Sequence, residues 1–283
     1  MNLTKPFKKV KDHSVSGEEF ELRHNKELDV LQTFPQPSKD TLAQYYKSED
    51  YISHTDSRRN LFEMVYHVIR NISLKRKLKL INSLQVSNKK LLDIGCGTGD
   101  FLQVANNGGW AIVGIEPNEN ARAIANAKTN NKVYETGHLK SYEKQSFDVI
   151  TLWHVLEHLP NLNEQVVVLK SLLKPNGRLI IAVPNYKSYD AKRYQEFWAA
   201  YDVPRHLWHF SQKAIANVFG KENLIIEKTL PMKFDAFYVS LLSEKYRSGW
   251  MNIFRAFIIG FKSNYKARSS GEYSSLIYVI KNS

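Results

Sequence analysis

The segment Leu91-Leu92-Asp93-Ile94-Gly95-Cys96-Gly97-Thr98-Gly99-Asp100-Phe101 restricts this chain more than any other. An apolar run contains an acidic residue near its end, three glycines follow at alternate positions, and a helical stretch begins. Glycine tolerates backbone angles closed to other residues and lets a ligand reach the main chain. A helix that starts there offers unpaired N–H groups. The spacing G-x-G-x-G is not the dinucleotide fingerprint G-x-G-x-x-G, and without Gly-Lys-Ser/Thr it is not a P-loop. Glu116 ends the next apolar run, Val113-Gly114-Ile115-Glu116-Pro117-Asn118, 23 residues after Asp93. A carboxylate at a strand's C-terminal end can accept both hydroxyls of a ribose, and open α/β sheets bind ligands at such ends.

Around this loop the texture alternates. Apolar runs at Leu91–Ile94, Ala111–Ile115, Val133–Glu135, Phe147–Leu152 and Arg178–Val183 are separated by helical stretches near Gly99–Asn106, Glu119–Lys128 and Leu162–Leu173. That alternation predicts a parallel sheet covered on both faces. Ser211 predicts an N-cap for Gln212–Phe219, and Leu224–Leu230 and Ser275–Ile280 predict late strands. Residues 231–274 between them exceed any ordinary loop and predict an insert of two helices. Upstream, Ser16-Gly17 predicts a hairpin between Val10–Val15 and Phe20–Leu22, and apolar spacing from Leu61 to Ser83 predicts a helix. The expected organisation is a small β-rich extension (1–40), a helical lid (41–88) and a core (89–283) with cap segments 185–210 and 231–274.

One cysteine in 283 residues excludes an intrachain disulfide framework and a Cys-rich zinc site. The first fifteen residues carry charge with no apolar stretch behind them, unlike a secretory signal. Trp250–Phe261 is too short for a spanning helix, which takes ~20 apolar residues, so a cytoplasmic location is expected. The net charge of +12 is uneven: +6 over residues 1–90, +1 over 91–230 and +4 over 231–274. A field of this sign suits phosphates, anionic lipid or nucleic acid, or solubility alone.

The glycine triad led by Asp93, the acid Glu116 and Phe147-Asp148-Val149-Ile150 opening the fourth strand together resemble the class I S-adenosylmethionine-dependent methyltransferases, over about residues 89–230 and 275–283. The resemblance implies a Rossmann-like, doubly wound α/β sheet, mostly parallel with an antiparallel last strand, and S-adenosyl-L-methionine as cofactor. It implies that Asp93 and the backbone of Gly95, Cys96, Gly97, Thr98 and Gly99 hold the methionine end. It also implies that Glu116 holds the ribose, that Pro117 and Asn118 flank the adenine, and that Trp153 borders the cofactor. His138 stands where relatives often place an acid against the adenine amino group, so a backbone contact at His138 or Leu139 is what remains there. Cys96 is read as a small filler and not as a nucleophile.

The acceptor side begins at Leu152-Trp153-His154-Val155-Leu156-Glu157-His158-Leu159. The Asn/Asp-Pro-Pro-aromatic motif of base amino-methylating enzymes is absent. Leu-Glu-His-Leu resembles small-molecule methyltransferases, including the ubiquinone-pathway O-methyltransferases, some of which are thought to use a divalent metal near this Glu-His pair; no metal ligand is assigned here. The aromatic-rich stretch 185–210 ends in Pro204-Arg205-His206-Leu207, which resembles a segment of many bacterial small-molecule methyltransferases. His206 and His154 are the candidate catalytic residues, since histidine suits proton transfer at neutral pH. The expected function is methyl transfer to a small or lipid-like acceptor, at oxygen. The alternatives are an RNA methyltransferase using the basic flanks and a non-catalytic cofactor-binding scaffold; nucleic acid is not the expected partner, and the oligomeric state is left open.

The flanks add two expectations. Tyr46 and Tyr51 are lid candidates over the cofactor. In 231–274, Phe234, Phe237, Tyr238, Leu241, Leu242 and Tyr246 share one helical face, and Trp250–Phe261 is apolar nearly all round. Such an element is either buried or lies in an interface. A roof over the pocket or a dimer contact is expected ahead of a peripheral membrane contact.

Overall fold

In the computed structural model, residues 3–46 and 61–283 are described. Tyr51 lies outside them. Three antiparallel strands open the chain: β1 (Leu3–Lys11), β2 (Glu19–Asn25) and β3 (Val30–Phe34). The predicted hairpin turns at residues 12–18, where Asp12 carboxylate oxygens accept the backbone N–H groups of Ser14, Val15 and Ser16. After α1 (Leu61–Asn82) comes the alternating segment: β4 (Lys90–Ile94), α2 (Asp100–Asn107), β5 (Ala111–Ile115), α3 (Glu119–Thr129), β6 (Val133–Tyr134), β7 (Phe147–Trp153), α4 (Leu162–Leu172) and β8 (Leu173–Pro184).

These strands form a seven-stranded sheet completed by β10 (Leu224–Pro231) and β11 (Ser275–Asn282), in the order β10-β11-β8-β7-β4-β5-β6. Pairing among β4 to β8 is parallel, and β11 is antiparallel to both neighbours. Burial on both faces explains why β7 reads as an unbroken apolar run interrupted only by Asp148 and Thr151. Strand order reverses between β4 and β7, the position where such sheets open a crevice at the strands' carboxyl ends. β8 begins at Leu173, four residues before the expected Pro-Asn-Gly break has ended. Its early pairing with β7 through Phe147 and Leu173 is followed by a register shift that absorbs the turn residues.

The segment after β8 carries α5 (Tyr189–Tyr194), β9 (Trp208–His209) and α6 (Gln212–Gly220), the last capped by Ser211 Oγ accepting the Ala214 N–H at 3.0 Å. β9 pairs with β3, so a four-stranded N-terminal sheet, β1-β2-β3-β9, borrows its last strand from the segment that follows the main sheet's fifth strand. Between β10 and β11 the insert forms α7 (Asp235–Ser248) and α8 (Ile253–Ser270).

Two helices depart from the sequence pattern. The buried residues of α7 are Ala236, Val239, Ser240, Leu241, Ser243 and Glu244, whereas Tyr238 is half exposed. The inward face is thus rotated from the aromatic one expected, because small residues let α8 approach closely. Along α1, Leu74, Leu78 and Ile81 pack against α2 and its neighbours, but Met64, Val68 and Ile72 are exposed.

Candidate active site

The glycine loop sits at the carboxyl end of β4. Gly95, Gly97 and Gly99 have φ of 68°, 55° and 79°, a region that favours glycine. At Gly99 a side chain would meet Ala125 Cα at 2.9 Å, so α2 and α3 pack tightly against the loop. At Gly97 the same test finds nothing within 4 Å. Bare main chain therefore faces open space there, as a cradle for a ligand requires.

Glu116 closes this cradle from β5. One carboxylate oxygen accepts the Gly97 N–H and the other the Asn118 N–H, each at 2.9 Å. Asp93, buried in β4, accepts a hydrogen bond from the Thr151 hydroxyl of β7 at 2.5 Å. Burial pushes the Asp93 carboxyl up to about 7, against that hydrogen bond and the positive charge of Lys77, while the Glu116 charge adds to the rise. Asp93 and Glu116 thus share one electrostatic environment. Cys96 feels both charges, and burial before all else pushes its thiol far up, which removes it as a nucleophile.

Lys77 of α1 was not legible as a site residue. It belongs to Lys75-Arg76-Lys77, which reads as a solvated charge run. Yet its ammonium lies 4.2 Å from the centroid of the Trp153 ring. Burial pushes it down to about 8, against the pull of Asp93 and Asp235. The available signal was spacing: Lys77 lies three residues after Leu74 and four before Ile81, both on the packed face. Trp153 itself packs edge-on against Phe101 at 5.5 Å, and its Nε1 is buried with no hydrogen-bond partner.

Beyond Trp153 the chain turns sharply at His154, φ 57°. The His154 imidazole is held between two carboxylates: Nδ1 lies 3.3 Å from Glu157, and Nε2 lies 3.0 Å from Asp235 in the first turn of α7. Burial works to lower its pKa, but the two carboxylates outweigh burial and raise it to about 10. His154 is an imidazolium at neutral pH. This corrects its expected use as a proton acceptor, and makes it instead an ionic tie between the post-β7 loop and the insert.

His206 is buried, and its Nδ1 lies 2.9 Å from the Ala200 carbonyl oxygen. A carbonyl only accepts, so Nδ1 donates and Nε2 keeps its lone pair in the neutral ring. The neighbouring His158 ring lies edge-on at 4.5 Å. Its Nδ1 faces the Arg205 carbonyl at 3.0 Å and the Tyr46 hydroxyl at 3.1 Å, and burial, aided by His206, pushes its pKa down to about 4. Among the described residues, Glu157, His158 and His206 bring one donor atom each within 4.8 Å of one another, and the second Glu157 oxygen is buried without a partner.

This corner is built by the N-terminal sheet. The Thr33 hydroxyl donates to the His206 carbonyl at 2.6 Å and meets His209 Nε2 at 3.0 Å. Arg205 bonds Asp202, Ser14 and the Tyr45 carbonyl and lies 3.7 Å from Asp12, so the Pro-Arg-His-Leu arginine ties the loop down and leaves the histidine to face inward.

A family model described as a methyltransferase domain matches residues 64–229. The chain belongs to this methyltransferase-domain family. Ubiquinone biosynthesis O-methyltransferases are among its curated relatives: that of Thiobacillus denitrificans is 32% identical over 117 residues, 37% of this chain and 49% of the relative. That of Glaesserella parasuis is 35% identical over 108 residues, 34% and 46% of the two chains. The chain spans about half the length of the curated relatives it matches. Two solved structures share the fold. A SAM-dependent methyltransferase from Archaeoglobus fulgidus has TM-score 0.51 and 17% identity over 79% of this chain and 100% of that one. A geranyl diphosphate C-methyltransferase from Streptomyces coelicolor has TM-score 0.53 and 13% identity over 81% and 88%.

In this methyltransferase-domain chain the remaining expected residues are placed less evenly. Asn118 caps α3 by accepting the Ala121 N–H at 3.0 Å, beside Pro117. The His138 N–H donates to the Glu135 carbonyl and its ring stacks on Tyr134 at 4.1 Å, so its own N–H is engaged within the turn. Leu139 packs against the main core. Thr98 donates its hydroxyl to Asp100, which also pairs with Arg70 and Lys128.

Proposed function

We propose that this chain is an S-adenosylmethionine-dependent methyltransferase that acts at oxygen on a small or lipid-like acceptor. The observation that carries the reading is the open, side-chain-free face at Gly97, bracketed by Glu116 on β5 and Asp93 on β4. The residues fit the cofactor. Glu116 would exchange its bond to the loop for the ribose hydroxyls, Asp93 would accept the ammonium of the methionine end, and Lys77 would meet its carboxylate. The Trp153 Nε1 donor, buried and unpaired, borders the same end. When bound, the cofactor supplies a methyl group already activated on a sulfonium.

The chain's remaining task is alignment, exclusion of water and removal of one proton. His206 suits the last task, with Nε2 unprotonated in a buried setting. A divalent ion, which the sequence resemblance implies for some relatives, fits Glu157, His158 and His206. The orphaned Glu157 oxygen and the neutral His158 ring supply ligand lone pairs, and a bound ion would polarise an acceptor hydroxyl. The names of the relatives favour oxygen as the accepting atom.

Incubating the protein with methyl-labelled cofactor and fractionated cell extract tests the reading. Label is expected in small-molecule or lipid fractions, and His206→Ala is expected to lose ~10²–10⁴-fold of the rate with S-adenosylhomocysteine affinity kept. Label confined to RNA, or transferred to nothing, would contradict it.

A further inference from the structure

We propose that the outer face of α8 is a docking surface for an anionic lipid bilayer. The helix has two unlike sides. Ala256, Ile259, Gly260, Ser263 and Ala267 are buried against the rest of the protein. A Cβ at Gly260 would lie 3.0 Å from both the Ala236 carbonyl oxygen and Phe237 Cα, so α8 is seated closely on α7 and its orientation is fixed. The opposite side is exposed and apolar. Phe254, Phe257, Phe261 and Tyr265 follow one another at spacings of three and four, with relative exposures of 78%, 61%, 57% and 63%. Trp250 and Ile253 extend this stripe at the N-terminal end, at 61% and 67%. An apolar patch of this extent marks an interaction surface, and the roof over the pocket expected for this stretch is not what the helix forms.

Charge identifies the occupant. Residues 245–271 contain six basic residues and no acidic one. Arg255 is paired with buried Glu244, while Lys262, Lys266 and Arg268 are exposed beside the stripe. Aromatic side chains on one face with basic residues alongside are the signature of a helix lying in the headgroup region of a membrane. A second copy of the chain meeting this face about a twofold axis would set these basic groups against one another. No helix of the described residues is long and apolar enough to cross a bilayer, so the contact is parallel to the surface. The same insert supplies Asp235 to His154, which places a bilayer-bound α8 on the element that borders the candidate site. The proposal stands on exposure and charge and is independent of the methyl-transfer reading.

Co-sedimentation of the full chain with phosphatidylcholine vesicles, with and without phosphatidylglycerol, tests it. Wild type is expected to partition onto the anionic vesicles and to be released by salt. Lys262→Gln with Lys266→Gln is expected to weaken partition up to about 30-fold, from about fivefold for each charge removed. Phe254→Ser with Phe257→Ser and Phe261→Ser is expected to weaken it about tenfold or more. Both variants are expected to keep wild-type melting temperature and S-adenosylhomocysteine affinity without vesicles, since the altered side chains point outward. Absence of vesicle binding by wild type, equal partition by both variants, or a dimer in light scattering that the Phe variant dissolves while vesicles bind nothing would each overturn the proposal. Failure of wild type to bind S-adenosylhomocysteine would sink the methyl-transfer reading and leave this one intact.

Discussion

At Lys77 a positive charge is held where its own burial opposes it. The compensation is local: the Trp153 ring on one side and the Asp93 charge on the other. If Lys77 meets the carboxylate of the methionine end, Lys77→Met should weaken S-adenosylhomocysteine binding about tenfold or more, the worth of one charge-assisted hydrogen bond. It should leave 5′-methylthioadenosine, which lacks the amino-acid end, within about twofold. Fluorescence titration with the two ligands checks this, and equal losses for both would assign Lys77 to packing. The contrast between Lys77 and Glu116 shows what single residues disclose in a sequence. Glu116 is legible because a strand end and a glycine loop fix its place. Lys77 is not, because only the packing of α1 against α2 turns one lysine of a charge run inward. His154 was legible as a residue near the chemistry but not in its role, since Asp235, its second carboxylate, lies 81 residues away in the insert.

Elements are tied together by that same ion pair. The raised His154 pKa means that the folded protein holds a proton the unfolded chain has released above about 6.5. The resulting stabilisation is complete below about 6.5, declines as pH rises, and is gone above about 10. In Asp235→Asn the histidine keeps one carboxylate, so its pKa and the pH dependence should both shrink. Melting followed from pH 7 to 10 should show a steeper fall for wild type than for the variant; parallel curves would contradict the tie. The strands and helices of the main sheet were readable because buried parallel strands leave apolar runs, and Ser211 and the glycines punctuate them. The orientation of α7 and α8 was not. Their aromatic residues advertise a buried face, but it is small residues such as Ala256, Gly260 and Ser263 that permit close helix contact, and the large ones are left outside.

Across the whole molecule, the two sheets are joined through the segment 204–210. β9 belongs to the N-terminal sheet by its hydrogen bonds, while Leu207 donates its N–H to the Glu157 carbonyl at 2.8 Å. The N-terminal extension is thereby part of the apparatus that sets His206 beside His158 and Glu157, a relation spanning more than 170 residues that no local pattern could disclose. The cofactor side is local, built from consecutive strand ends, and was accordingly clear; the acceptor side is assembled from three distant segments. Everything proposed for the chemistry depends on Glu116 and the bare loop at Gly97 holding a ribose. Titration calorimetry with S-adenosylhomocysteine on wild type and Glu116→Ala addresses this most directly. Binding by wild type and a loss of about tenfold or more in the variant is predicted, since a carboxylate accepting a hydroxyl contributes ~1.5–3 kcal/mol; equal affinities, or no binding by wild type, would contradict the account.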